Sequence, residues 1–376
     1  MNVLHVYSGN LFGGIESILA TLARHRGACP EVNAEVALCF EGRLSRELAA
    51  AGTMVHQLGE VRVSRPRTVS RARRAFARLL GSRNFDAVVL HAAWSHALFA
   101  SVARKGGAPI ALWLHDVWAG GHWSERWARR TPPDILICNS RFTESAARPA
   151  FPGIATAVVY APVDLSPAHD TSALRRSVRR ELGTPDAAVV VVQASRLEAW
   201  KGHEVLVDAL AHVAHRDWLW WQIGGPQRPR EAAYLESLRA RVRRRGIADR
   251  VRFLGQRDDV ARILGAADLH CQPNVEPEPF GVAFVEALAA GLPVVTSGIG
   301  GATEIVDDTC GRLVAPRDPQ AVASALSPLI ADPALRVRLG SRGRIRAKAL
   351  CDPSTQIRRF VEVLAGVIRK PGCLQR

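Results

Sequence analysis

Two glutamates in one short run are the residues best placed to do chemistry. In Pro277-Glu278-Pro279-Phe280-Gly281-Val282-Ala283-Phe284-Val285-Glu286, a proline on each side stiffens the loop at Glu278, and Gly281 lets backbone amides approach a ligand at a helix start. Glu286 follows about a turn and a half into that helix. Its neighbours Val282, Phe284, Val285, Ala287 and Leu288 are apolar, so its carboxylate costs free energy unless something satisfies it. Hydroxyls of a ribose would do so. A plainer reading gives Glu286 a solvent edge and makes Glu278 a first-turn acid favoured by the helix dipole. Spacing alone leaves the two readings level.

A second pair is cationic. Ser195-Arg196-Leu197-Glu198-Ala199-Trp200-Lys201-Gly202 follows an apolar run, so Arg196 and Lys201 occupy a loop between a strand end and a helix. When a sugar leaves a nucleoside diphosphate, the departing pyrophosphate gains negative charge, which cations or helix N-termini stabilise. The chain contains no Asp-x-Asp, so a divalent ion clamped by that motif is not on offer, and neither a metal site nor a resident cofactor is expected. Taken alone, Arg-x4-Lys is also what a surface loop would show in a chain with 46 arginines.

The elements around these residues read as α/β. Expected strands at 3–7, 34–40, 86–91, 110–115, 134–139 and 156–160 alternate with helices such as 94–104 and 141–148, the pattern of a parallel sheet with crossover helices. Prolines and small polar residues at 161–172 mark a linker. The pattern restarts with strands at 188–194, 218–223, 251–254, 269–272 and 293–297, helices at 202–215, 231–245 and 282–290, and a last helix at 354–368. The 376 residues therefore divide into a domain at 1–165, a second at 173–350, and a helix and tail at 351–376 able to pack on either. Doubly wound units hold ligands at the carboxyl ends of their strands, and two such edges are expected to face one another across a cleft.

Composition narrows the class. With 48% hydrophobic and 23% charged residues the chain has the balance of a folded soluble protein. No apolar run reaches the ~18 residues a membrane span requires, and Met1-Asn2-Val3-Leu4-His5-Val6-Tyr7 lacks the order of a signal peptide, so a cytoplasmic location is expected. Seven cysteines without a Cys-x-x-Cys pair read as reduced thiols, with Cys138 and Cys271 as strand fillers. The net charge of +15 favours acidic partners. Arg62, Arg65, Arg67, Arg71, Arg73, Arg74, Arg78 and Arg83 fall in a stretch without an acid, where Val69, Ala72, Phe76, Leu79 and Leu80 recur at helical spacing. That amphipathic helix either lies on an anionic membrane surface or packs its apolar stripe on the sheet.

The ordered motifs resemble those of the retaining glycosyltransferases of family four, enzymes of the two-domain GT-B fold. Glu-x-Phe-Gly-x4-Glu-Ala at 278–287 is followed by Gly-x-Pro-Val-Val at 291–295, Gly300-Gly301-Ala302-Thr303-Glu304 and Gly311-Arg312-Leu313-Val314. Earlier come Gly13-Gly14-Ile15-Glu16, His115-Asp116, Asn139-Ser140-Arg141-Phe142-Thr143 and Gly224-Gly225-Pro226. The resemblance spans nearly the whole chain and is specific for the family rather than the substrate. It implies two Rossmann-like doubly wound domains and metal-independent transfer of a hexose-type sugar, with retention, from a UDP- or GDP-linked donor to a glycan or lipid-linked acceptor. It further implies that Arg196 and Lys201 bind the donor pyrophosphate, helped by amides from Phe280 through Gly281 and Val282 to Ala283. Glu278 would hold the donor sugar and Glu286 the ribose, with Gly225 also on the donor side. Gly13 and Gly14 would form a close-approach loop, and His115 would orient donor or acceptor; its bland alternative is a strand-end ring paired with Asp116.

Two departures stand out. Ala161-Pro162-Val163-Asp164 replaces the Asn-Gly-Val-Asp turn of relatives, which puts any contact of that Asn in doubt. Trp118-Ala119-Gly120-Gly121-His122-Trp123 has no match; it suits a sugar ring, or two tryptophans packed on the core. Among other classes, a nicotinamide enzyme is disfavoured because Gly9-x3-Gly13-Gly14 is not Gly-x-Gly-x-x-Gly, and a nucleic-acid binder because no supporting motif exists. A sugar-nucleotide epimerase of the same fold stays open.

Overall fold

The computed structural model describes residues 1–9, 13–165, 171–215 and 217–369. The expected tail at 370–376 with Cys373, the centre of the 161–172 linker, and residues 10–12 of the first glycine loop lie outside these described residues. The chain forms two compact units: Met1–Val163 joined by the chain from Cys351, and Asp164–Leu350.

The first unit carries a seven-stranded parallel sheet: β1 Asn2–Tyr7, β2 Asn33–Leu38, β3 Met54–Gln57, β4 Ala87–His91, β5 Ile110–Leu114, β6 Ile135–Cys138 and β7 Thr156–Val158. Their order across the sheet is β3-β2-β1-β4-β5-β6-β7. The second unit carries six more: β8 Val189–Ala194, β9 Trp218–Ile223, β10 Val251–Phe253, β11 Leu269–Gln272, β12 Val294–Ser297 and β13 Gly311–Val314, in the order β10-β9-β8-β11-β12-β13. Central strands such as β4, β5 and β9 are buried at every residue. Sheets covered by helices on both faces require such unbroken apolar runs, which is why they read clearly in the sequence. The order of connection reverses between β1 and β4 in one unit and between β8 and β11 in the other, leaving a crevice at each carboxyl edge.

Two edge strands were not expected. β3 (Met-Val-His-Gln) has no buried residue and Met54 is 53% exposed, while β13 starts on glycine and exposes Leu313. Short, half-polar edge strands carry neither the alternation nor the apolar run by which strands are recognised.

The basic segment forms the helix Pro66–Ser82, with proline at its first turn. Ala72 and Phe76 are buried, and Val69, Leu79 and Leu80 pack with them against Leu4, Val88, Leu90 and Phe99. The apolar stripe therefore serves the unit's own core, and only the opposite face reaches solvent. No helix among the described residues is long and apolar enough to cross a membrane.

The helix Pro353–Ile368, capped by Asp352 accepting from the Thr355 amide at 2.9 Å, belongs to the first unit. Phe360 on it stacks on Trp113 at 4.8 Å and contacts the His5 ring at 5.5 Å. The six described cysteines are all free and buried, with Cys138 on β6 and Cys271 on β11; burial pushes the Cys138 thiol up to about 12.

Candidate active site

In the second unit the loop after β8 is pressed against the loop after β11. Gly202 makes this possible: its φ is +74°, and a Cβ there would lie 1.8 Å from the Pro273 carbonyl oxygen. The Val275 amide donates to the Trp200 carbonyl at 2.8 Å, tying the loops together. As a result Lys201 Nζ donates to Glu278 Oε2 at 2.6 Å, although the two residues are 77 positions apart. The pair is 13% and 10% exposed, so it lies largely out of water. The same Oε2 accepts from Asn274 Nδ2 at 2.8 Å and Gln272 Nε2 at 3.3 Å. Oε1 of Glu278 has no hydrogen bond among the described residues.

The backbone of Glu278 is clamped from behind. The Gly301 amide donates to the Glu278 carbonyl at 2.7 Å, and a Cβ on Gly300 (φ +68°) would come within 2.4 Å of that oxygen. The Gly300-Gly301 motif is thus a packing requirement of the carboxylate it supports.

Arg196 takes a different partner. Its Nη2 pairs with Glu198 Oε2 at 2.9 Å, which also accepts from Trp200 Nε1 at 3.0 Å. Lys201 and Glu278, read from the sequence as pyrophosphate and sugar ligands, are brought together, whereas Arg196 is held on a separate carboxylate at the same strand end. Gly281 caps the helix Val282–Ala289 in the left-handed region, and Phe280 is buried beneath it, so only backbone groups of Phe280 are available there. Glu286 is half-buried with no hydrogen bond or ion pair among the described residues, and loss of hydration pushes its carboxyl up to about 7. Gly225 has no room for a side chain: a Cβ on it would meet the Gln256 amide at 2.8 Å.

The first unit builds its edge from rings. His115, immediately after β5, does not turn to Asp116; its Nε2 lies 3.0 Å from Nδ1 of His91, the last residue of β4. Nε2 of His91 lies 2.9 Å from Nδ1 of His5 on β1. All three are buried, the His91 and His115 rings are stacked with 9° between their planes, and Trp113 stacks on both at 5.4 Å. Desolvation lowers His5 to about 4 and His115 to about 3, and His91 is also held well below its ordinary value. His115 Nδ1 is buried and has no partner among the described residues.

Two supports hold the last and the middle ring of this row. Asn139 Nδ2 donates to the His115 carbonyl at 3.2 Å, and Thr143 Oγ1 donates to Asn139 Oδ1 at 2.8 Å. Ala92, directly after His91, has φ +65°, a strained conformation for a residue with a Cβ. Neither His5 nor His91 was singled out in the sequence; the available signal was a histidine at or near the end of three strands that prove to be neighbours.

The glycine loop after β1 is held by Glu16. Gly13 donates its amide to Glu16 Oε2 at 2.9 Å, and Tyr7 donates its hydroxyl to Oε1 at 2.5 Å. Gly14 begins the helix Gly14–Arg24 and is exposed. In the unmatched loop Trp118 is buried against Phe151 at 4.9 Å and Trp123 packs edge-on to Trp94 at 4.7 Å, so both tryptophans serve packing.

Comparison with known proteins converges on the same class. The description Glycosyltransferase Family 4 fits residues 12–167 and Glycosyl transferases group 1 fits residues 175–346. The GDP-mannose-dependent alpha-(1-6)-phosphatidylinositol monomannoside mannosyltransferase of Mycolicibacterium smegmatis is 30% identical over 310 residues, 77% of this chain and 78% of that protein. The GDP-mannose-dependent monoacylated alpha-(1-6)-phosphatidylinositol monomannoside mannosyltransferase of Corynebacterium glutamicum is 29% identical over 73% of this chain and 75% of its own. Among solved structures, HepE of Anabaena in complex with UDP and glucose superposes with a TM-score of 0.85 at 25% identity, over 97% of this chain and 100% of that one.

Proposed function

This chain belongs to the glycosyl transferases of group 1 and glycosyltransferase family 4, with the two Rossmann-like domains of the GT-B fold, and from that membership we propose its donor, mechanism and site residues. It moves a hexose-type sugar from a nucleotide-diphosphate donor, UDP- or GDP-linked, to a glycan or lipid-linked acceptor, with retention and without a metal ion. The observation that carries this reading is the Lys201–Glu278 contact at the β8/β11 reversal, the place where a doubly wound sheet receives a nucleotide.

Lys201 turns from Glu278 to the arriving pyrophosphate, joined by Arg196 and by amides at the start of Val282–Ala289. Glu278 then offers its oxygens to hydroxyls of the donor sugar. Glu286, poorly hydrated and without a partner among the described residues, accepts from the ribose, which favours its charged form. His115 acts on the reacting sugar through Nδ1, and Gly13-Gly14 lets backbone approach the substrates. Attack from the face the pyrophosphate leaves retains configuration, with a donor phosphate oxygen helping to take the acceptor proton; a protein nucleophile is then unnecessary.

The relatives named for phosphatidylinositol mannosides favour a lipid-linked acceptor, and the exposed face of Pro66–Ser82 supports a membrane-proximal one. Arg67, Arg71, Arg74 and Arg78 are exposed at successive helical turns and have no carboxylate partner among the described residues. A thermal-shift and hydrolysis screen across UDP-, GDP- and ADP-sugars, with EDTA present, tests the donor. A shift and transfer with one diphosphate sugar in EDTA supports the reading; strict dependence on added manganese or magnesium overturns the metal-free mechanism. Isomerisation of the donor without an acceptor would instead mark an epimerase.

A further inference from the structure

The row His5–His91–His115 has a property that none of its rings has alone. No carboxylate is hydrogen-bonded to any of the three among the described residues, and burial keeps each of them neutral. A neutral imidazole has one N–H and one lone pair, so each contact in the row must match a donor with an acceptor. Only two arrangements satisfy both contacts. In one, all three rings carry the proton on Nδ1: His5 donates to His91, His91 donates to His115, and His115 Nδ1 presents an N–H. In the other, all three carry it on Nε2: His115 donates to His91, His91 donates to His5, and His115 Nδ1 presents a lone pair.

We propose that His5 and His91 are positioning residues that, through this three-ring row, set whether Nδ1 of His115 meets substrate as a hydrogen-bond donor or as an acceptor. The choice is collective, because a ring in the opposite tautomer would put two lone pairs or two N–H groups face to face at about 3 Å between buried rings. Passing from one arrangement to the other takes one proton in at one end of the row and releases one at the other, leaving every ring neutral. The stack of Trp113 on His91 and His115, with Phe360 against His5, holds the rings at contact distance. The Ala92 corner and the Asn139 bond fix the backbone of His91 and His115. Nδ1 of His115, buried and without a partner among the described residues, is the unpaired end of the row, and its use rests on the reading that His115 serves the transfer reaction.

The test is a two-bond 1H–15N correlation spectrum of the full chain labelled with 15N-histidine at pH 7.5. The expected result is the same tautomer, or the same proportion of two tautomers, at His5, His91 and His115; unlike tautomers at any two, or a doubly protonated His91, would overturn the row. His91→Phe keeps a ring but severs both contacts, and should uncouple the tautomers of His5 and His115 and lower kcat at least ~10-fold with little change in donor KM. His91→Gln, which supplies one donor and one acceptor, should recover part of that loss; a His91→Phe rate equal to or above that of His91→Gln would show that the hydrogen bonds of the row do not act on the reaction and would overturn the positioning role. His115→Ala separates the two ideas: full activity would remove His115 from the reaction and leave the tautomer result standing by itself.

Discussion

The sheet reversals at β1/β4 and β8/β11 are equivalent in topology, yet the groups standing on them differ in kind. The first is furnished with three uncharged rings that hand hydrogen bonds from strand to strand. The second gathers an ammonium and two amides on one carboxylate oxygen. Both are out of water, and low polarity strengthens whatever interaction each contains. A row of neutral rings can exchange donor for acceptor without separating charge, whereas a buried ion pair has a fixed sign at each atom and resists the loss of either partner. Fold topology thus supplies the position, and side chains decide whether that position is adjustable or polarised.

The sharpest way to break the comparison is to unbalance the charged side. Lys201→Met and Glu278→Gln should each reduce transfer at least ~100-fold, and each should cost about 3 kcal/mol of stability because an unpaired charge or amide is left behind. The double variant should be more stable than either single one in urea unfolding. Additive losses in that cycle would mean that the two groups do not depend on one another.

Proton linkage separates the two edges by sign. Glu286 has a native value of about 7, above its ordinary 4.5, so the native state binds the extra proton; stability falls as pH rises from 4.5 to 7. The fall is on the order of 1–3 kcal/mol, and Glu286→Gln should abolish it in unfolding midpoints taken from pH 5 to 8. His5 runs the other way. Its native value of about 4 lies below the ordinary 6.5, so its contribution is present above 6.5 and is lost as pH drops toward 4. His5→Phe should flatten that acid limb while leaving the Glu286 limb in place. A matching slope in both variants would dissolve the contrast.

How much of this was readable beforehand follows the same divide. Glu278, Lys201 and Arg196 stood out by their place in loops beside apolar strands, but their spacing alone also suited a surface loop and a helix start; the ordered motifs around them, read as a family resemblance, tipped the balance. What could not be read was that Lys201 would reach Glu278 while Arg196 would take Glu198: pairing depends on the loop contact at Gly202 and Pro273, not on spacing. Buried strands such as Val189–Ala194 were legible from their runs, whereas Met54–Gln57 had no such signature. The rings at His5 and His91 were invisible for another reason. A single histidine in an apolar strand carries no pattern, and only the β1-β4-β5 adjacency turns three of them into a row.

The smallest effect concerns the corner that holds the row. Ala92→Gly removes the Cβ penalty at φ +65° and should raise stability by about 1 kcal/mol in thermal unfolding. The gain should come with a looser His91, seen as broader ring resonances; no change in stability would mean that the corner is unstrained.

The stacking of Phe360 on Trp113 and His5 also sets an order of manufacture. Phe360 is added 355 residues after His5 (360 minus 5), roughly 20 to 70 s later at about 5 to 20 residues per second. Asp164–Leu350 is one uninterrupted stretch, whereas the first unit waits for the chain from Cys351, so the unit begun second has its full sequence first. A chain cut after Leu350 would carry the whole sequence of the second unit, together with a first unit in which Trp113 and His5 lack the ring that covers them.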